Sequence, residues 1–335
     1  MTRSALVVAV AAAAVSVVSL YFLLWEPNTF ESSPKIVTVS RGENFTQVVD
    51  AFSSAGVISH SMLFKVSGKL FGYAGKLKIG KYSFPSGASN REILYAISTG
   101  TSTANPEVTI YEGIRGTQIA RILKREVGID SAKLVQLLSD TSMIHLNNHR
   151  AKSLEGFLLP DTYEFYWQVD EKEIVHEMLT EFRKFFTDSL QRRAREMKMS
   201  IDQVLTMASI VEGETLLDRE RPIIAGLYYN RIRRRMKLEA DPTIQYIIPD
   251  GPRRLLYEDL KIESPYNTYK KYGLPPGPIN NPGRKSILAA LYPATHNYLY
   301  FVADGTGGHR FAQTFGEHLK NVRAYRRTKA LARAQ

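Results

Sequence analysis

The sequence contains one acidic segment whose residue types and spacing could perform acid–base chemistry, residues 207–215, and Glu214 is its strongest candidate. If the segment is helical, Glu214 shares its face with apolar residues three, four and seven positions earlier. These are Val211, Ile210 and Met207. A carboxyl held against apolar neighbours loses hydration, and its pKa rises. A general acid near neutral pH needs such a raised pKa, so the spacing makes Glu214 a candidate for a catalytic acid.

The alternative interpretation of Glu214 is structural. A buried glutamate can equally be held in an ion pair, and Arg219 and Arg221 follow closely in the sequence. A second carboxyl, Glu212, lies two positions earlier, about 200° around a helix at about 100° per residue. The two carboxyls cannot face one site unless the helix bends. Spacing alone leaves the catalytic and the structural interpretation open.

Three further patterns favour structural roles. His145 and His149 have the i,i+4 spacing of a metal-binding pair, but no third ligand accompanies them in the sequence. Residues 307–309, Gly-Gly-His, are typical of a turn. The basic run from Arg231 to Lys237 indicates a solvated face that could also meet anionic lipid or peptide carboxylates. None of these patterns predicts a catalytic or metal site.

Composition excludes several classes of chemistry. Cysteine is absent from the sequence, which excludes disulfides, thiolate metal sites and cysteine nucleophiles. Neither a Gly-x-Ser-x-Gly motif nor a Walker loop occurs. We therefore predict that the protein uses no metal and no cofactor. The formal net charge is +11, but neither zinc-ligand pairs nor an aromatic RNA-binding motif accompanies it, so no nucleic-acid partner is expected.

The elements that must position Glu214 begin after an apolar N-terminal segment. Residues 4–25 carry no charge, and a bilayer-spanning helix needs about 20 apolar residues. The bulky aromatic end of the run is typical of the membrane interface rather than of signal-peptidase cleavage. We predict an uncleaved single-pass anchor at residues 1–25, with the N-terminus in the cytoplasm and the rest of the chain outside it.

The chain of 335 residues is long enough for about two further domains. After a linker at residues 26–34, residues 35–103 predict one small α+β module. Its two halves share a pattern of a short strand, a turn containing glycine and a helix with an apolar face. The strands are residues 36–39 and 80–84, and the second helix ends at Gly100.

Downstream, residues 108–110 predict a strand, followed by a helix that contains Ile119. The charged segment Glu171–Met197 predicts one long helix with an apolar stripe facing the core. The loop Gly273–Gly283 contains four prolines and three glycines. Such a stiff, non-helical loop either walls a cleft or merely connects two elements.

Several motifs, in one order, resemble the MltG/YceG-like endolytic murein transglycosylases. Residues 208–215 resemble the active-site segment of that family. The other matching stretches are residues 155–163, 229–231, 238–243, 264–269, 273–279 and 298–303. The resemblance covers nearly the whole chain, including the anchor and a LysM-like module at residues 35–103. One departure is Gly213, where Lys or Arg is expected, and a glycine that weakens a helix by about 1 kcal/mol could bend it there.

The resemblance implies a mechanism with one carboxyl, that of Glu214, the glutamate followed by threonine. Its acid would protonate the glycosidic oxygen between MurNAc and GlcNAc. Its carboxylate would then take the proton of the C6 hydroxyl of the same MurNAc, which closes onto C1 and leaves a 1,6-anhydro end. A hydrolase would need a second carboxylate. Glu155, Asp161 and Asp241 are available by type, so a hydrolytic muramidase stays open, as does a non-catalytic glycan-binding scaffold of the wall-synthesis machinery.

We accordingly expect an α+β protein with a transmembrane helix, a LysM-like module and a catalytic domain at residues 104–330. The residues expected to contact substrate beside Glu214 are Glu212, Asp241, Tyr266 and Asn267. The expected partners are peptidoglycan glycan strands, the cell membrane and, as the resemblance implies, peptidoglycan synthases. The expected location is the cell membrane, with the catalytic domain outside the cytoplasm.

Overall fold

The computed structural model describes residues 3–101, 107–144, 151–249 and 251–334. Two compact units make up the chain. The first comprises Met1–Val108, Leu123–Ile129 and Tyr163–Asp170, and the second comprises Thr109–Ile122, Asp130–Thr162 and Glu171–Gln335. Both mix helices with two-stranded sheets, so the predicted α+β class is confirmed. The predicted boundary between residues 103 and 104, and the pair His145 and His149, lie outside the described residues.

The first unit contains most of the N-terminal third of the chain. Its elements are α1 (Arg3–Leu24), β1 (Pro27–Asn28), β2 (Lys35–Val39), α2 (Phe45–Ser54), α3 (Ser61–Leu70), β3 (Gly80–Phe84), β4 (Ala88–Ser89) and α4 (Asn90–Thr99). The antiparallel pairs are β1 with β4 and β2 with β3. Three elements have residues in both units: β5 (Glu107–Thr109), α5 (Gly116–Val127) and β6 (Thr162–Glu164).

Local sequence signals explain the first unit well. Capping boxes start α2, with Asn44 and Gln47, and α4, with Ser89 and Glu92. Gly100, at φ 83°, ends α4 in the left-handed conformation that favours glycine. Both predicted repeats of strand, turn and helix are therefore confirmed, whereas α3 was not predicted. The likeness of this region to a LysM module stays a prediction.

Helix α1 occupies the segment predicted to be a membrane anchor. Crossing a bilayer requires about 20 residues of sustained apolar character. Over the part of the chain that the structure describes, no helix meets that requirement of length and hydropathy together. The single-pass anchor predicted at residues 1–25 is therefore not confirmed.

The second unit carries the remaining elements, α6 (Ser131–Leu137), α7 (Glu171–Phe185), α8 (Asp188–Glu196), α9 (Ile201–Glu214), α10 (Arg221–Arg233), α11 (Asp241–Ile247), α12 (Arg284–Leu291), β7 (Tyr300–Ala303), β8 (His309–Ala312) and α13 (Phe315–Ala334). Strands β7 and β8 pair antiparallel. The prediction of a single helix over Glu171–Met197 is wrong. The segment forms two helices, because the chain is extended at Thr187, which is the N-cap of α8.

Helix α9 is the central element of this unit. Nearly every residue of α9 is buried, and α10 and α12 pack against it. A capping box between Ser200 and Gln203 fixes its first turn. Because the helix is enclosed by other helices, its C-terminal end is held in one place.

The loop Gly273–Gly283 packs against α9 through its last residues. The backbone N–H of Ile279 donates to Oγ of Ser209 at 3.1 Å. Asn281 is fully buried, and its carboxamide oxygen accepts the N–H of Gly156 at 2.8 Å. Its amide nitrogen donates to the carbonyl oxygen of Ile114 at 3.1 Å and to Oε1 of Glu155 at 2.7 Å. One side chain thus ties together three stretches that are distant in sequence.

Candidate active site

Glu214 is the last residue of α9, and Thr215 continues in an extended conformation. The helix passes through Gly213 without interruption, so the predicted opposite orientation of Glu212 and Glu214 holds. Gly213 lies against Pro242, and a Cβ at position 213 would lie 2.7 Å from Cβ of that proline. The close approach brings the end of α9 to the start of α11, where Asp241 is located.

Glu214 opens into a cavity of about 430 Å³ within the second unit. Three acidic side chains and several aromatic ones line it. The lining residues are Glu214, Arg231, Glu239, Asp241, Tyr269, Tyr300, Phe301, Val302, Ala303, His309, Phe315 and His318. Helices α9, α10, α11 and α13 and the hairpin β7–β8 supply most of them. A cavity of this size with convergent polar groups suits a saccharide-sized ligand.

The carboxyl of Glu214 is partly buried, and burial raises its pKa to about 7. The phenolic O–H of Tyr228 donates to its Oε1 at 2.5 Å and opposes that rise, and the negative charge of Asp241 adds to it. Tyr228 itself is fully buried in α10, and burial beside Glu214 raises its own pKa well above the usual range. Because Tyr228 occupies Oε1, Oε2 is the oxygen left for exchanging a proton with a ligand.

Arg231 supports the wall of the cavity. Its Nε donates to the carbonyl oxygen of Leu299 at 2.7 Å, and its Nη1 donates to that of Leu238 at 2.7 Å. The guanidinium also lies over the ring of Tyr300, 5.6 Å from the centroid. The charge of Arg231 lowers the pKa of Glu214 somewhat. Arg231 therefore belongs to the frame of the site, although its sequence context indicated a solvated basic face.

Asp241 is the second carboxyl of the cavity. Its Oδ1 accepts the O–H of Tyr269 at 2.5 Å, and burial together with this bond raises the pKa of Tyr269. The predicted site residues Glu214 and Asp241 are thus brought together. Glu239, from the same stretch of chain, pairs loosely with Arg231 at 3.4 Å.

Glu212 does not line the cavity. Its side chain is only 4% exposed, and its Oε1 forms an ion pair with Nη1 of Arg221 at 2.8 Å. Its Oε2 accepts the backbone N–H of Gly283 at 2.9 Å. The structural alternative considered for Glu214, a buried pair with Arg221, therefore describes Glu212 instead. The substrate contact predicted for Glu212 is not supported, because both of its oxygens are used inside the protein.

Tyr266 and Asn267 also lie away from the cavity of Glu214. Asn267 is fully buried, and its amide donates to the carbonyl oxygens of Leu260 and Ile262 at 3.0 and 2.7 Å. The ring of Tyr266 packs on Tyr246, with centroids 4.8 Å apart. Asn267 therefore shapes a turn, and the structure does not bring either residue to the candidate acid.

The other carboxyls that left hydrolysis open are also separate from Glu214. Asp161 forms an ion pair with Arg284 at 2.7 Å, and this partner holds its pKa below the usual range. Glu155 lines a different cavity, and burial raises its pKa to about 7 despite hydrogen bonds from Gly116 and Asn281. Among the three alternatives, only Asp241 shares a cavity with Glu214.

The predicted loop Gly273–Gly283 does wall a cavity, but not this one. Leu274, Pro275 and Pro276 line a larger space of about 900 Å³ beside Gly226 and Tyr229 of α10. The described residues contain no cluster of three or more His, Asp or Glu side chains that could hold a metal ion.

Sequence reasoning missed Tyr228, Tyr269 and His309 as parts of the site. Tyr228 lies in α10, 14 positions after Glu214, and Tyr269 lies in the loop after α11, 55 positions after it. No local sequence pattern links either residue to Glu214. His309 had a signal, since it follows two glycines in a segment predicted to be a turn. The turn exists, but it also points the imidazole at the cavity.

Comparisons with known proteins agree on one family. Residues 37–324 match the model of the YceG-like family. An endolytic murein transglycosylase of Bacillus subtilis strain 168 is 30% identical over 317 residues, which are 90% of this chain and 88% of that protein.

Two further relatives widen the comparison. An endolytic murein transglycosylase of Streptococcus pneumoniae strain D39 is 29% identical over 87% of this chain, which spans 58% of that longer protein. The crystal structure of a yceG-like protein from Listeria monocytogenes superposes with a TM-score of 0.62 at 29% identity, covering 87% of this chain and 99% of the other.

Proposed function

Because the chain belongs to the YceG-like family, we propose that it is a lytic transglycosylase that cuts peptidoglycan glycan strands internally at the MurNAc–GlcNAc bond. One observation carries the proposal most directly. A single carboxyl with a pKa of about 7, Glu214, opens into a cavity lined by polar and aromatic side chains. A group of that pKa can serve as an acid and then as a base at neutral pH.

The first step is protonation of the leaving group. Near neutral pH a large fraction of Glu214 carries its proton, because burial disfavours the charged form. The acid gives this proton from Oε2 to the oxygen that joins C1 of MurNAc to GlcNAc, and the C1–O bond breaks. Charge developing at C1 lies in a cavity that also holds Asp241, whose negative charge favours a cationic sugar ring.

The second step closes the sugar on itself. The C6 hydroxyl of the same MurNAc attacks C1, and the Glu214 carboxylate takes the hydroxyl proton. The new C1–O6 bond gives a 1,6-anhydro end, the acid is regenerated, and no water is consumed. The hydrogen bond from Tyr228 to Oε1 stabilises the carboxylate between the two steps without occupying Oε2.

Asp241 is also the group on which a hydrolytic alternative would depend. A muramidase needs a second carboxylate free to act as nucleophile or base. Asp241 accepts a hydrogen bond from Tyr269, so one of its oxygens is already engaged. We therefore propose that Asp241 contacts sugar hydroxyls and supports charge at C1. The relatives named endolytic murein transglycosylases favour an enzyme over a non-catalytic scaffold.

The proposed substrate determines where the enzyme acts. Glycan strands exist outside the cytoplasm, so the second unit must be extracytoplasmic for the reaction to occur. Peptidoglycan synthases, which supply new strands, are the partners that this reaction would bring close to the enzyme.

The test is product analysis of purified glycan strands by mass spectrometry. We expect 1,6-anhydroMurNAc ends from the wild-type enzyme and a loss of about 10²- to 10⁴-fold in their formation for Glu214→Gln. Glu155→Gln is the matched control, because Glu155 has a similarly raised pKa in a different cavity. Reducing MurNAc ends alone would establish a muramidase, and no products from either protein would favour the scaffold.

A further inference from the structure

His309 is held by both oxygens of one buried carboxylate. The backbone N–H of His309 donates to Oε1 of Glu220 at 3.0 Å, and the imidazole Nδ1 lies 2.7 Å from Oε2. The hydroxyl of Thr215 also donates to Oε2, at 3.2 Å. The ring is further fixed by an edge-to-face contact with Phe301, with centroids 5.1 Å apart. Its position is therefore determined from two sides.

The turn before His309 leaves room for the carboxylate of Glu220. At Gly308 an added Cβ would lie 2.8 Å from Oε1 of Glu220 and 3.0 Å from Oδ2 of Asp304. Asp304 in turn accepts the backbone N–H groups of Thr306 and Gly308 at 2.7 and 3.1 Å. A side chain at position 308 would therefore displace the carboxylate that holds His309.

The contacts with Glu220 determine which ring nitrogen of His309 faces the cavity. A carboxylate only accepts hydrogen bonds, so Nδ1 of His309 must carry the proton that it shares with Glu220. In the neutral ring Nε2 is then an acceptor. The imidazole lines the cavity of Glu214 and is 15% exposed, and no protein atom of the described chain bonds to Nε2.

A short path connects His309 to the candidate acid. Thr215 follows Glu214 directly in the chain, and its hydroxyl shares Oε2 of Glu220 with the imidazole. Two hydrogen bonds and one peptide bond therefore fix the imidazole relative to the carboxyl that delivers the proton. Such coupling is typical of groups that must contact one ligand together.

We propose that His309 is a substrate-contacting residue, whose Nε2 accepts a hydrogen bond from a hydroxyl group of the glycan strand in the cavity of Glu214. Glu220 acts as its positioning residue. The inference rests on the proposed function for the identity of the ligand. It assigns no proton transfer to His309, because Glu214 alone completes the reaction.

The test separates the two ring nitrogens by substitution. In His309→Asn the amide nitrogen takes the place of Nδ1 and can still donate to Glu220, but nothing replaces Nε2. In His309→Gln the amide reaches the place of Nε2. Each change is made in the full-length Glu214→Gln protein, whose turnover is expected to be about 10²- to 10⁴-fold slower, and binding of soluble, uncrosslinked glycan strands is measured by calorimetry.

We expect the Asn variant to bind about 3- to 10-fold more weakly than its parent, the worth of one neutral hydrogen bond, and the Gln variant to recover most of the loss. Equal affinity of the Asn variant and the parent would overturn the role of His309 alone. A parent that binds no glycan at all would instead count against the proposed function.

A second measurement holds even if a variant misfolds. In the wild-type protein labelled with ¹⁵N at histidine, the shifts of the neutral His309 ring must show the proton on Nδ1 and not on Nε2. The Asn or the Gln variant, whichever folds, assigns the signal. A proton on Nε2 would exclude an acceptor there and overturn the proposal.

Discussion

At the scale of single residues, two carboxyls two positions apart have different surroundings. Glu212 is neutralised by Arg221 inside the protein, whereas Glu214 forms no ion pair with any described residue, and burial raises its pKa to about 7. The difference arises because successive helical positions point in different directions, one between α9 and α12 and the other into a cavity. Of the two, only Glu214 therefore combines a raised pKa with a place in the wall of a cavity, as the proposed acid requires.

The activity should fall as the pH rises through about 7, because Glu214 then loses the proton that it must donate. Tyr228 opposes the rise in this pKa by donating to Oε1. In Tyr228→Phe the pKa of Glu214 rises further, so the basic limb of the profile of kcat/KM should move to higher pH. Initial rates of anhydro-end formation between pH 5 and 9 measure both effects, and an unmoved limb would show that Glu214 does not determine it.

The free energy of unfolding should also depend on pH because of the raised pKa of Glu214. Glu214 binds its proton more tightly in the folded state than in the unfolded chain, since its pKa rises from 4.5 to about 7. The stabilisation is complete below the unfolded value and is lost as pH rises through the folded one. Glu214→Gln should therefore gain stability over wild type between pH 4.5 and 7, by about 2–3 kcal/mol. Urea unfolding at several pH values checks this, and a constant difference would refute the raised pKa.

Removal of the neighbouring carboxyl, Glu212, should instead destabilise the protein. Glu212→Ala leaves Arg221 buried beside an empty space, so the free energy of unfolding should fall by about 3–5 kcal/mol. Conditions that keep this variant folded should preserve the anhydro product. A stable variant without activity would instead support the substrate contact that the sequence predicted for Glu212.

Sequence patterns predicted the candidate acid but not its surroundings. The apolar spacing before Glu214 predicted a raised pKa, and burial does raise it, whereas the catalytic role of the residue stays a prediction. Asp241, Tyr269 and His309 line the cavity beside Glu214, and Tyr228 donates a hydrogen bond to its carboxyl. Of these four residues only Asp241 was expected. They come from α10, α11, β8 and a loop, and contacts across such sequence distances leave no periodic signal.

At the scale of elements, α10 connects the cavity with the rest of the second unit. One face carries Tyr228 and Arg231, and the other lies against the segment before β7. There Asn230 donates to the carbonyl oxygens of His296 and Tyr298 at 2.8 and 3.0 Å. Gly226 makes this approach possible, because a Cβ would lie 2.3 Å from the carbonyl oxygen of Ala294.

Gly226→Ala should therefore destabilise the protein by about 1–3 kcal/mol, although alanine is the better helix former. Gly316→Ala in the first turn of α13 is the matched control. Its Cβ meets no atom within 4 Å, so it should be neutral or slightly stabilising. The midpoints of thermal unfolding of the two variants test this prediction. Equal midpoints would show that α10 and the segment at Ala294 can move apart at little cost in stability.

Elements with strong local signals were predicted well, and those fixed by tertiary packing were not. Helices α2, α4 and α9 have capping boxes, and all three were predicted. Helix α3 lacks a side-chain cap and was missed. The apolar stripe predicted across Glu171–Met197 ran from Phe185 to Leu190, so it did not reveal the extended residue Thr187 between them.

At the scale of the whole molecule, the chain passes between its two units more than once. Residues Leu123–Ile129 and Tyr163–Asp170 belong to the first unit, although they lie within the sequence of the predicted catalytic domain. Within the first unit, Gln168 binds Arg41 through its side-chain oxygen, which accepts the backbone N–H at 2.5 Å.

A fragment of residues 104–330 should therefore fold poorly, since these two segments lose their partners before residue 104 in the same compact unit. A fragment of residues 35–335 keeps those partners and should unfold cooperatively. Circular dichroism on heating compares them, and a cooperative transition for the shorter fragment would support the sequence-based boundary.

The buried amide of Asn281 has a consequence for how the protein ages. Asparagine side chains usually decay when the next backbone nitrogen attacks the carboxamide and forms a succinimide ring. Here the next residue is Pro282, which has no N–H to supply that nucleophile. The group that ties Ile114, Glu155 and Gly156 together is thus chemically durable, and spontaneous deamidation should spare this position during long storage.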